Sequence, residues 1–299
     1  MSSDRIQDAV TDALRVAATI LPCDVVEALK RARARETSDL AAAQLDAILE
    51  NVAIAHEDSI PICQDTGVLT FFVEAGAASP FLAKIRGFIA SAVIEATERI
   101  PLRPNTVDLF TGVNPGDNTG RCMPIIDWEI VDGDEIQITV LPKGGGSENM
   151  STLVMLSPSA GLTGVKRAVV EHVVSCRGKP CPPTIVGVGI GGGADVAMKL
   201  GKKALLRAIG SANPEPQAAE LERELLELIN MSGVGPMGLG GETTCLAVHV
   251  EYAHRHPASL PLGIAVQCWA DRRARVTLKA DGTIRVDAAV GAAGTTVAA

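Results

Sequence analysis

The sequence predicts an α/β protein that begins with a helical segment. Apolar residues recur at helical spacing from Asp4 to about Glu57, and short β-branched runs then alternate with further helical patterns. No internal repeat and no linker rich in Ser or Pro interrupts the 299 residues. We therefore expect one mixed α/β domain over residues 1–299, with a helical lead-in over about 4–57.

The first half of the chain divides at its polar and proline-rich segments. Pro22 interrupts the lead-in, and residues 63–67 form a predicted turn before a strand at 68–73. A helix is predicted at 80–99, followed by a Pro- and Asn-rich loop at 101–124. Loops of this length in compact domains are usually functional or disordered.

A β-hairpin is predicted next, because two strand-like runs at 125–131 and 135–141 are joined by Asp132-Gly133-Asp134. The remaining apolar patterns predict three helices and three strands. The helices are at 164–176, 194–209 and 218–230, and the strands are at 184–190, 243–251 and 263–269.

Charge and composition restrict the possible partners. A net charge of -8 repels nucleic acid and anionic membranes, and an aromatic content of 3% leaves few stacking platforms. No apolar run reaches the roughly 20 residues that span a bilayer, and the N-terminus lacks a signal-peptide pattern. We expect a cytoplasmic protein whose seven cysteines are reduced thiols or metal ligands, and an anionic substrate would need local positive charge.

Two glycine-rich segments have two interpretations each. Residues 187–192 match the GxGxxG spacing of dinucleotide sites, but no second strand ending in an acidic residue follows, so close backbone packing is favoured over a nicotinamide site. Gly144 to Gly146, flanked by Lys143 and Ser147, could cradle a carboxylate or phosphate, or form a flexible loop.

Cysteine, histidine and arginine residues leave further alternatives open. Cys63, Cys181 and Cys268 are 118 and 87 residues apart, which matches no local zinc or ferredoxin pattern, although a proline after Cys181 would stiffen a ligand loop. His256 lies in a predicted turn where a solvated side chain is the commoner outcome. The arginines at 272, 273 and 275 are interpreted as a solvated or interface cluster.

Five blocks in this order give the chain a family resemblance. They are ICQDTG at 62–67, KGGGSENMS at 143–151, CPP through a glycine run at 181–192, GPMGLGG at 235–241 and QCWADRR at 267–273. The series resembles the alpha subunit of class I, iron–sulfur-dependent fumarate hydratases and L-tartrate dehydratases, and it covers the chain from Asp4 to Leu278.

The resemblance implies an iron–sulfur hydro-lyase alpha-type catalytic domain with a 4Fe-4S cluster held by Cys63, Cys181 and Cys268. Three protein ligands leave one iron open as a Lewis acid for the substrate hydroxyl. The resemblance further implies that Asp65 is an acid or base and that Gln64 lies within reach of the substrate.

More substrate contacts follow from the resemblance. It implies that Arg103 grips a carboxylate, although its neighbours depart from the single-chain fumarase pattern. Gly145 and Gly146 supply backbone donors, Lys143 adds positive charge, and His256 matches a histidine that faces the substrate. Since single-chain members have a further domain that this sequence lacks, we expect a beta subunit in a heterodimer or heterotetramer.

The substrate is expected to be a small dicarboxylate. Fumarate and tartrate chemistry differ by one hydroxyl, which one or two side chains distinguish. The glycine blocks favour reversible hydration of fumarate to L-malate, and dehydration of L-tartrate to oxaloacetate is the alternative.

Overall fold

The computed structural model describes residues 3–288, which form two compact units. Unit 1 consists of residues 3–22, 51–144 and 272–288, and unit 2 consists of Cys23–Glu50 and Gly145–Asp271. No linker-like composition marks these boundaries. The single mixed α/β domain over residues 1–299 stays a prediction.

The helical lead-in is confirmed as three helices, α1 (Ser3–Thr19), α2 (Cys23–Arg35) and α3 (Asp39–Glu57). Pro22 lies in the break between α1 and α2. A proline inside a helix has no N–H to donate to the preceding turn, and its ring clashes with that turn. In unit 1, α1 packs against α4 (Ile85–Arg99) through one apolar face of each helix.

Unit 1 contains a five-stranded sheet in the order β2-β1-β3-β8-β9. The strands are β1 (Val68–Gly76), β2 (Ile125–Val131), β3 (Ile136–Lys143), β8 (Ala274–Leu278) and β9 (Ile284–Asp287). Strand β1 pairs parallel with β2 and antiparallel with β3. Its residues are buried almost throughout, which is typical of a central strand.

The predicted hairpin of β2 and β3 is therefore wrong, although both strands and their connection exist. Strand β1 lies between them, and its end bonds to the connection through Gly76 N to Glu135 O at 2.8 Å and Ala78 N to Gly133 O at 2.9 Å. The physical reason is burial: β2 carries Asp127 and Glu129 and has no buried residue, whereas seven of the nine residues of β1 are buried, so β1 takes the central position.

Unit 2 contains a four-stranded sheet in the order β4-β7-β5-β6. The strands are β4 (Thr152–Leu156), β5 (Thr184–Gly192), β6 (Cys245–Arg255) and β7 (Leu260–Gln267), and the helices after α4 are α5 (Gly145–Glu148), α6 (Gly161–Cys176), α7 (Ala194–Ala204) and α8 (Pro216–Asn230). The three predicted helices and the three predicted strands of this region are confirmed with shifted ends. Strands β4, β8 and β9 were missed because each has only four or five residues.

The GxGxxG segment lies within β5 and packs against α7. A Cβ added at Gly187 would lie 2.0 Å from Gly201 O, and one at Gly189 would lie 2.0 Å from Ala197 O. These glycines let a helix backbone approach the strand closely, which is the packing interpretation of the motif. Residues 101–124 contain no helix or named strand, as expected. No helix within residues 3–288 is long and apolar enough to cross a bilayer.

Candidate active site

In unit 1 the candidate residues surround the segment that leads into β1, which we call the Cys63 loop (residues 63–67). Ile62 fixes its start: the side chain is 3% exposed, its N–H donates to Ala18 O at 2.9 Å, and its carbonyl accepts from Asn51 Nδ2 at 2.9 Å. The Cys63 thiol and the Asp65 side chain are half-buried, and Gln64 is exposed. The loop therefore presents three polar side chains from a fixed base.

The Asp65 carboxylate lies between Gly67 and Gly144. Its Oδ1 accepts from Gly67 N at 3.0 Å, and its Oδ2 lies over Gly144, where an added Cβ would approach it to 3.1 Å. Gly144 follows β3, whose last residue, Lys143, is opposite Val68 at the start of β1. Strand pairing thus brings the glycine segment beside the acid, and Lys143 is buried there at 3% exposure.

Thr66 attaches the long loop to the Cys63 loop. Its buried Oγ1 accepts from Arg103 N at 2.9 Å and from Asn105 Nδ2 at 3.4 Å, and Asn105 Nδ2 also donates to Gly67 O at 3.2 Å. The Arg103 side chain is exposed, so its backbone is anchored while its guanidinium can contact a ligand. The structure therefore brings Arg103 to the loop that carries Gln64 and Asp65.

Arg272 also contacts this loop, and the interpretation of the arginine run as solvated is wrong for Arg272 and Arg273. Their side chains are 1% and 0% exposed. Arg272 Nη2 donates to Asp65 O at 3.0 Å. Sequence reasoning missed Thr66 and Arg272, although both lie in the blocks that carry the resemblance, because a block does not reveal hydrogen-bond partners.

In unit 2, two of the expected ligands lie at neighbouring strand ends. Cys181 precedes β5 and Cys268 follows β7, and these strands pair antiparallel with Ile185 opposite Gln267. Trp269 N donates to Cys181 O at 3.2 Å, so the two cysteine segments are bonded to each other. Both thiols are half-buried.

The glycine segment of unit 2 joins the same strand ends. Gly145 and Gly146 are exposed at the start of α5, and Ser147 Oγ donates to Gln267 Oε1 at 3.1 Å. A Cβ added at Gly146 would lie 3.4 Å from Lys179 O, in the segment before Cys181. Unit 2 thus brings Gly145, Gly146, Cys181 and Cys268 together.

His256 lies elsewhere in unit 2. It occupies the turn from β6 to β7, exposed, where its Nδ1 accepts from Ala258 N at 3.1 Å. The eight residues of β7 separate this turn from Cys268, a span of about 27 Å at ~3.4 Å per residue. Within unit 2, therefore, His256 is not brought together with Cys181 and Cys268.

The other four cysteines are poor ligand candidates. Cys176 and Cys245 are buried and donate to the carbonyls of His172 and Ala247, at 3.2 and 3.1 Å. Burial raises the pKa of the Cys176 thiol and raises the pKa of Cys245 to about 12, so both stay protonated at neutral pH. The remaining two, Cys23 and Cys122, are exposed.

Cys63 in unit 1 and Cys181 and Cys268 in unit 2 are half-buried thiols, the ligand type that iron–sulfur clusters take. No group of three or more His, Cys, Asp or Glu side chains among the described residues could hold one metal ion. Gln267 Nε2, beside Cys268, is buried without an acceptor in the described part of the chain, which suits an anionic group there.

Comparison with known proteins agrees with these features. Residues 7–277 match the family model described as Fumarate hydratase (Fumerase). A Methanocaldococcus jannaschii protein provisionally named L(+)-tartrate dehydratase subunit alpha is 49% identical over 284 residues, which is 94% of this chain and all of the relative. The L(+)-tartrate dehydratase subunit alpha of Escherichia coli strain UTI89 is 39% identical over 281 residues, 94% of this chain and 93% of the relative.

Together, the fold and these matches define an enzyme of the hydro-lyase class. More closely, the chain belongs to the fumarate hydratase (Fumerase) family and is similar over most of its length to tartrate dehydratase alpha subunits.

Proposed function

We propose that this chain is the cluster-binding alpha subunit of an L(+)-tartrate dehydratase, which converts L-tartrate to oxaloacetate and water. The observation that carries the proposal is that relatives 39–49% identical over 94% of this chain bear that name. The name of the family model supports fumarate hydration as a second candidate. The sequence alone favoured fumarate, and the relatives favour tartrate.

Cys63, Cys181 and Cys268 would hold the 4Fe-4S cluster. They are the three half-buried thiols of the chain, whereas the other four are buried and protonated or exposed. When bound by three thiolates, the cluster would supply one open iron as a Lewis acid for the departing hydroxyl. A reducing compartment keeps such thiols available, so we propose that the protein is cytoplasmic.

Asp65 would remove the proton from the carbon next to the departing hydroxyl. The hydrogen bond from Gly67 N orients its carboxylate, and a base that is already oriented does not have to reorient for proton transfer. The proton goes to a carboxylate oxygen, hydroxide leaves the neighbouring carbon, and the resulting enol converts to oxaloacetate. Asp65→Asn should abolish turnover while the visible spectrum of the cluster persists, and loss of the spectrum would instead make Asp65 structural.

The substrate carboxylates would bind cationic and backbone donors. The exposed Arg103 side chain can form a bidentate pair, buried Lys143 adds positive charge, and Gly145 and Gly146 can donate N–H groups. Gln64, exposed beside Asp65, would contact a substrate hydroxyl or carboxylate. Arg103 and Lys143 would supply the local positive charge that an anionic substrate needs on a chain of net charge -8.

His256 was expected to face the substrate, but in unit 2 it lies at the opposite end of β7 from Cys268. Because β7 separates it from Cys268, a role at the same dicarboxylate would require His256 of a second copy of the chain. We also propose a beta subunit that completes the site, since the named relatives are alpha subunits. A heterodimer or heterotetramer stays a prediction.

The test is anaerobic co-purification with the beta subunit, followed by absorbance spectra and turnover of L-tartrate, fumarate and L-malate. We expect a brown protein whose kcat/KM for L-tartrate exceeds that for L-malate by at least about 100-fold, since a site that binds a hydroxyl discriminates against its loss. Preference for fumarate and L-malate would select the second candidate. A colourless, iron-free protein would refute the cluster.

A further inference from the structure

Arg272 is a buried cation that the mechanism above does not use. Its side chain is 1% exposed, and of its three nitrogens only Nη2 has a partner, the Asp65 carbonyl at 3.0 Å. Nε and Nη1 have no hydrogen-bond acceptor within residues 3–288. A guanidinium cannot lose its charge by deprotonation in a protein, so this burial needs a compensating partner.

The position of the guanidinium indicates where that partner would bind. Because the group is planar and rigid, Nε and Nη1 lie beside the same Asp65 peptide as Nη2. That peptide belongs to the Cys63 loop, within two residues of Cys63, and Arg272 itself follows Cys268 by four residues. A buried cation with unpaired donors at this loop is suited to an anion.

We propose that Arg272 is an anion-binding positioning residue of the active site. Through Nη2 it fixes the backbone of Asp65, and through Nε and Nη1 it donates to an anion bound beside the Cys63 loop. This inference rests on the proposed function, which supplies two anions of this kind: the thiolate-bound cluster and the dicarboxylate substrate. The shared chemistry is charge-assisted N–H donation to an anion.

A merely structural arginine and an anion-binding one predict different thermal shifts. Without the anion, the unpaired buried charge is destabilising, so Arg272→Met should leave the melting temperature unchanged or raise it. With the anion bound, the same variant should be less stable than the wild type. If Arg272 only held the Asp65 carbonyl, the variant would lose the same number of degrees in every state.

The experiment measures anaerobic melting temperatures of the full chain with its beta subunit, in three states: metal-free, cluster-loaded, and cluster-loaded with L-tartrate. We expect Arg272→Met to lose at least half of the wild-type stabilisation on adding the anion that Arg272 contacts. A loss at the cluster step assigns the cluster, and a loss only at the L-tartrate step assigns the substrate. If the melting temperature of Arg272→Met differs from that of the wild type by the same amount in all three states, Arg272 does not bind either anion and the proposal is overturned.

Two further variants make the test sharper. Arg275→Met removes another arginine of unit 1, whose Nε donates to Thr139 Oγ1 at 3.2 Å, and it should leave both stabilisation steps as in the wild type. If Arg272→Met does not fold, Arg272→Lys keeps the charge but not the fork of donors. It should weaken binding of the assigned anion at least about tenfold, and unchanged binding would overturn the proposal.

Failure of the inference is distinguishable from failure of the proposed function. If the wild type takes up no iron, the proposed function fails. Direct calorimetric titration of the metal-free protein with L-tartrate then decides the inference. Weaker binding to Arg272→Met than to the wild type and Arg275→Met supports it, and equal binding or no binding overturns it.

Discussion

Replacing Thr66 with valine tests whether the Cys63 loop positions Arg103. Valine has nearly the shape of threonine, so Thr66→Val removes one hydroxyl from a side chain that is 3% exposed. That hydroxyl oxygen accepts from Arg103 N at 2.9 Å and from Asn105 Nδ2 at 3.4 Å. The change therefore removes these two hydrogen bonds between the long loop and the Cys63 loop without opening a large cavity, and it leaves the bond from Asn105 Nδ2 to Gly67 O in place.

The magnitude follows from the hydrogen bonds. Leaving a buried N–H without its acceptor costs about 1–3 kcal/mol, whereas the 3.4 Å contact adds little. We expect the free energy of unfolding to fall by about 1–3 kcal/mol. If Arg103 shifts, the loss of a charged hydrogen bond to the substrate, worth ~1.5–3 kcal/mol, corresponds to a KM increase of about 10- to 150-fold.

The assay combines urea unfolding, iron content and steady-state kinetics with L-tartrate. Thr139→Val is the matched control: Thr139 is buried on β3 and accepts from Arg275 Nε, away from Arg103. It should lose stability without a change in KM. If Thr66→Val keeps the wild-type KM at full iron content, then this hydrogen bond does not position a substrate-binding Arg103.

Three other predictions test the site and the fold. Gly144→Ala places a Cβ 3.1 Å from Asp65 Oδ2, so displacement of the carboxylate should lower kcat about tenfold or more in the kinetic assay. The Cys245 thiol, whose pKa burial raises to about 12, should resist alkylation at pH 8 in the folded protein, as read by mass spectrometry. Glu222→Ala removes the nearer carboxylate partner of Arg207, at 2.5 Å, and leaves Glu251 at 3.6 Å. It also removes the acceptor of the Asn213 and Val250 N–H groups, so urea unfolding should show a loss of about 3–5 kcal/mol.

Each of these has a control or a contrary outcome. Gly87→Ala in α4, where an added Cβ meets no described atom within 4 Å, should leave kcat unchanged and stabilise the helix slightly. Exposed Cys23 should be alkylated under the conditions that spare Cys245, and equal labelling would contradict the burial of Cys245. A Glu222→Ala variant as stable as the wild type would show that the ion pair contributes little.

Sequence patterns predicted the secondary structure better than the way it is assembled. The helical lead-in, the irregular loop at 101–124 and the strands around residues 184–190 followed from periodicity and turn residues. The hairpin prediction was wrong because local turn residues carry no information about β1, which lies earlier in the chain, is buried at seven of its nine residues and takes the position between β2 and β3. Pairing between distant strands depends on which strand gains most from burial.

For the candidate site, too, the sequence indicated the residues and the tertiary structure decided their contacts. The sequence by itself provided the residue types: the ordered blocks indicated the three cysteines and Asp65, and the family resemblance indicated Arg103, which lies outside the blocks. The tertiary structure alone decided the contacts: that Thr66 anchors Arg103, that Arg272 is buried against Asp65 O, and that β7 separates His256 from Cys268. The partners are 37 positions apart for Thr66 and Arg103 and 207 positions apart for Asp65 and Arg272, and hydrogen bonds form between whichever groups the packed fold places within about 3 Å.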